Sequence, residues 1–144
     1  MTVTARRVGF LAVLAVLAGV TGCKSDNEGK IVGKWRVNEG MSGMKMPPPG
    51  ASVVLIYEFT ADNRLEVSAT ISMMGQQVEK KVVTTARYKL GAGDTVNLTD
   101  ISPPIEGKSS SREKVTIKDN GNTMVISSGT FMGKPLILTR YTEK

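Results

Sequence analysis

From Ile31 to the C-terminus the chain alternates apolar and polar residues with a period of two, the signature of β-strands that bury one face. Val53, Leu55, Tyr57 and Phe59 alternate with Val54, Ile56, Glu58 and Thr60; Leu65, Val67, Ala69 and Ile71 alternate with Glu66, Ser68, Thr70 and Ser72. The same reading predicts strands at about 31–38, 78–90, 95–101, 112–118, 123–130 and 135–141, eight in all, and no convincing helical stripe after Cys23. Turn residues then set the register. Asn120-Gly121 suits a two-residue turn with positive φ at both centres, which places Val115 opposite Ile126 and Ile117 opposite Met124. A turn over Met73 to Gln76 places Ile71 opposite Val78 and Val67 opposite Val82, and so turns Lys80 inward opposite Ala69, near the rim. Eight strands joined in sequence by short connections predict an all-β fold, an eight-stranded antiparallel up-and-down barrel, because closure removes the exposed edges.

Residues 1–22 follow a different pattern. Arg6 and Arg7 precede an unbroken apolar or glycine run from Val8 to Val20, too short for the roughly 20 residues of a membrane-spanning helix. That is the layout of a secretory signal helix. Its end, Val20-Thr21-Gly22-Cys23, resembles the lipobox of bacterial lipoproteins, which implies acylation of Cys23 and cleavage before it. The polar stretch Lys24 to Lys30 then reads as a flexible tether, and 31–144 as the barrel domain. Lys24 beside the Cys, where retention in the inner membrane usually uses Asp, points to the outer membrane of a bacterial envelope. The implied partner is the membrane itself, through the lipid on Cys23.

Composition narrows the chemistry. The 144 residues contain no His and one Cys, which excludes His-based triads, His metal ligands, an internal disulfide and a Cys-rich zinc site. No catalytic residues emerge. Ser109-Ser110-Ser111 has no base beside it and reads as loop composition. The expectation is a protein that is not an enzyme and carries no cofactor. After removal of the signal, 17 basic and 13 acidic side chains remain, interspersed rather than clustered beside aromatics, so no nucleic-acid partner is expected. A monomer is expected.

Ile31-Val32-Gly33-Lys34-Trp35 carries the Gly-x-Trp that opens the first strand of lipocalins and related calycins, and Arg140 in Leu138-Thr139-Arg140-Tyr141 sits where their last strand offers an Arg. Over about residues 31–141 the chain resembles small bacterial lipocalin-like lipoproteins. The resemblance implies that Gly33, Trp35 and Arg140 form the barrel floor, with the Arg over the Trp. It also implies a ligand site at the opposite, open mouth. The chain departs from secreted lipocalins in being shorter, in lacking a clear helix after the last strand and in having no disulfide.

An eight-strand meander sorts its loops by end. The second, fourth and sixth connections are tight and polar: Ala61 to Asn63, Gly91 to Asp94 and Asp119 to Asn122. The other end collects Met41, Met44, Met46, Met73, Met74 and Met132, six of the seven methionines after Met1, together with Phe131. With Lys80 these are the candidate ligand rim, facing away from the membrane. Adaptable thioethers suit a small apolar ligand or an envelope partner protein. Met41, Met44 and Met46 also have a spacing that suits Cu(I), a soft ion. A third reading is a solid barrel, its mouth plugged by the same methionines, that serves a structural or interaction role.

Overall fold

The structure is a computed structural model, described here for residues 25–38, 49–127 and 135–142. Eight strands follow in order: β1 Gly33–Val37, β2 Ala51–Phe59, β3 Arg64–Met73, β4 Gln76–Leu90, β5 Thr95–Ser102, β6 Ser111–Lys118, β7 Thr123–Ile126 and β8 Leu136–Tyr141. Each pairs antiparallel with its sequence neighbour, and β1 pairs with β8, so the sheet closes into a barrel. This is the all-β architecture that the alternating pattern predicts. The expected signal helix and Cys23 lie outside the described residues.

Alternation becomes geometry in β2 and β3, where Leu55, Tyr57 and Phe59 face Ala69, Val67 and Leu65 across the ladder and all six are buried. Trp35, Tyr88, Val96, Leu98, Val115, Met124 and Leu138 complete the interior from the other strands. Phe59 meets Tyr88 edge to face at 5.2 Å, and the Tyr88 hydroxyl donates to the Thr60 carbonyl at 2.7 Å. The tip of the β2–β3 connection is thereby pinned to the wall. Each such large apolar side chain contributes about 1.5–3 kcal/mol on burial.

Two hairpins test the register. Val115 pairs with Ile126 and Ile117 with Met124, as Asn120-Gly121 predicts. The turn itself is longer than two residues: Lys118 pairs with Thr123, and Asp119, Asn120 and Gly121 all have positive φ in a short 3-10 turn. At the β3–β4 hairpin, Met74 and Gly75 form the tip with φ of 51° and 80°. The expected register holds for Ser72 opposite Gln77 and then shifts, because β-bulges interrupt the ladder between Ile71 and Ser72 and between Val67 and Ser68. Each bulge adds one residue to β4. Ile71 therefore faces Glu79, Val67 faces Thr84, and Lys80 faces Thr70 rather than Ala69. One extra residue reverses the face of every side chain until the second bulge restores it. Lys80 consequently lies on the outer wall, a correction to the inward placement.

The segment 25–30, which lies in the stretch expected to be a tether, bonds to the end of the barrel. The Asp26 amide donates to the Gly93 carbonyl at 2.7 Å, the Ser25 hydroxyl to the same carbonyl at 3.1 Å, and the Asn27 amide nitrogen to the Val115 carbonyl at 2.9 Å. Asn27 is buried. Ser25 and Asn27 turn inward to backbone carbonyls at the barrel's end, while Asp26, Glu28, Gly29 and Lys30 are exposed.

Candidate functional site

The two ends of the barrel differ in construction. The base gathers the β2–β3, β4–β5 and β6–β7 connections, the segment leading into β1 and the end of β8. Trp35 is fully buried there, its indole N–H donating to the Ile31 carbonyl at 2.8 Å. Arg140 pairs with Trp35 across the β1–β8 ladder, and its guanidinium carbon lies 3.9 Å from the indole centroid, a cation–π contact. Its three nitrogens donate to the carbonyls of Gly121 at 3.1 Å, Val32 at 2.7 Å and Lys30 at 2.8 Å. Desolvation lowers the Arg140 pKa, yet a guanidinium stays charged in a protein. Gly33 has φ of 131°, and a Cβ there would stand 2.5 Å from Arg140 Nη1. Glycine is what allows the guanidinium to reach the carbonyls. Gly33, Trp35 and Arg140 are thus brought together at one end.

At the far end, Met74 donates its amide to the Gly50 carbonyl at 2.8 Å, and Met73 and Met74 are both exposed. Of the other rim candidates, Met41, Met44, Met46, Phe131 and Met132 lie outside the described residues, as does the Cu(I) set that three of them compose. Met124, in contrast, is fully buried within β7. Lys80 borders a shallow outer groove of about 230 Å³ with Arg36, Ile56, Ser68, Thr70 and Tyr141.

The interior holds polar groups that the alternating pattern concealed. Glu113 is only 2% exposed; it occupies an inward position of β6 between Ser111 and Val115. The Ser111 hydroxyl is buried without a hydrogen-bond partner. Tyr57 is buried too, and burial together with the nearby Glu113 charge pushes its hydroxyl up to about 12. Buried polar groups in an apolar interior are costly, and a strongly shifted titratable group with a charged neighbour marks a candidate site. Sequence reading passed over Glu113 because Arg112, Glu113 and Lys114 form a charged run. The signal was its parity: it sits two residues before Val115, on the inward face.

Tyr57 carries a consequence for stability. Its pKa is higher in the fold than in the unfolded chain, so the neutral phenol favours folding and its contribution is complete below pH 10. That contribution is lost as pH rises from 10 through 12, amounting to about 3 kcal/mol. Denaturant melts of the wild type and Tyr57→Phe across this range should diverge, the variant losing less stability. Parallel pH profiles would remove Tyr57 from the interior.

Comparison with protein-family models, curated proteins and solved structures finds no match to this chain.

Proposed function

We propose that this chain is an exported, lipid-anchored binding protein of the bacterial envelope, a lipocalin-like barrel that is not an enzyme and takes a small, largely apolar ligand through the end opposite its base. The observation that supports this reading is the polar group within the barrel. Ser111 and Glu113 are the first and third residues of β6, opposite Leu98 and Val96 of β5, and the Glu113 charge acts on Tyr57. A barrel of eight strands has room for filling side chains or for one small ligand. Tyr57 as a neutral donor, the Ser111 hydroxyl and the Glu113 carboxylate would orient a ligand with an apolar body and one polar head, while Leu55, Val67 and Leu98 would cover the body.

A matched series tests the reading: octanol, octylamine and octanoate competing with a fluorescent anilinonaphthalene sulfonate probe. We expect saturable displacement, with octanoate at least about tenfold weaker than the other two, because it sets a second carboxylate beside Glu113. Glu113→Gln should erase most of that difference. Failure of all three to displace the probe, or the absence of probe binding, would favour a solid barrel and end the proposal.

A further inference from the structure

The β3–β4 hairpin extends past the rest of the wall. β4 pairs with β3 from Gln76 to Arg87, but with β5 only from Thr85, opposite Ser102. Over 76–83 no described strand lies on the other side of β4, and every side chain of that stretch is exposed. Among the described residues this is an open sheet edge, a template for another strand. It is also unusually apolar. Val78 is 62% exposed and Val82 49%, and with Val83, Met73 and Met74 they account for all but one of the exposed large hydrophobics among the described residues.

We infer that this edge pairs antiparallel with the same edge of a second copy of the chain, about a two-fold axis through Lys80. The argument is one of complementarity. In a symmetric pair of sheet edges the axis stands perpendicular to the sheet, so outer face meets outer face and the register can slide only in steps of two. Centred on Lys80, Val78 opposes Val82 twice and Glu79 opposes Lys81 twice. The ladder with β3 puts Lys80 and Val82 on the outer face, with Thr70 and Ser68, and Glu79 and Lys81 on the inner face, with Ile71 and Ala69. Val78, the residue that the first bulge adds to β4, meets Val82 at the joint, and two ion pairs close its inner face. A slide of two residues in either direction sets Glu79 against Glu79 or Lys81 against Lys81 and separates the valine pairs. The one like-charge contact in the chosen register is Lys80 with its copy. Lys80 borders the groove that also holds Glu58 and Glu66, so acidic groups of its own wall face it. The joint is small, at the low end of specific interfaces, and replaces the monomer expected from composition with a concentration-dependent dimer.

Sedimentation equilibrium of the full chain in non-ionic detergent, from low micromolar to submillimolar concentration, tests this. Lys81→Glu and Glu79→Lys each turn two attractions into two repulsions and should weaken dimerisation at least about tenfold, with the circular dichroism spectrum unchanged. The double variant, or an equimolar mixture of the two single variants, should restore it. A chain that stays monomeric throughout leaves the edge to another partner and overturns the inference, as does a dimer insensitive to both single changes.

Discussion

Trp35→Ala should destabilise the barrel by about 3–5 kcal/mol, the usual cost of truncating a buried aromatic. Three losses coincide. The indole fills the base with no exposed surface; its N–H satisfies the Ile31 carbonyl; and its ring is the surface on which the Arg140 guanidinium rests. Removing it leaves a cavity, an orphaned carbonyl and an arginine without its stacking partner. For a domain of this size that is a large share of a total of about 5–15 kcal/mol. Chemical denaturation followed by far-ultraviolet circular dichroism measures it. A loss below about 1 kcal/mol would mean that the base is held by other contacts.

If Cys23 carries the lipid, as proposed, Cys23→Ser should move the protein from the membrane to the soluble or unprocessed fraction, an all-or-none change, because a serine hydroxyl cannot take the place of the thiol. Its lipid would act at short range. Ser25 bonds Gly93 at the base, two residues from Cys23, so an acyl chain there would hold the barrel's base against the lipid surface rather than let it swing on a tether. The Met73–Met74 tip would then point away from the bilayer. Fractionation and detergent partitioning of wild type and variant decide the matter; retention of Cys23→Ser in the membrane would refute acylation.

How far the sequence carries depends on what each feature encodes. Period-two alternation encodes facing, so the eight strands and the buried set from Leu55 to Leu138 were legible. Asn120-Gly121 encodes a positive-φ turn, so the β6–β7 register was legible even though the loop is wider. The β-bulges in β4 have no residue signature: the run Gln76 to Val83 contains neither glycine nor proline, and the shift that turns Lys80 outward shows only in the paired ladder. The contacts of segment 25–30 were illegible for another reason. Its polar residues look the same whether they serve water or backbone carbonyls, and only the fold distinguishes Asn27 buried against Val115. Glu113 was hidden by reading charge before parity.

The Arg140 clamp also sets the order in which the chain can fold. Its bonds to Lys30 and Val32 span sequence separations of 110 and 108 residues, and the β1–β8 ladder spans nearly as much. Contacts of such separation must overcome most of the chain's loop-closure entropy before they contribute, which places the protein among the slow, millisecond-to-second folders. During synthesis or transport from the N-terminus, β1 has no partner for its second edge until the last residues arrive. Closure is therefore a late event, and a chain shortened before Leu136 would remain an open, sticky sheet rather than a smaller barrel.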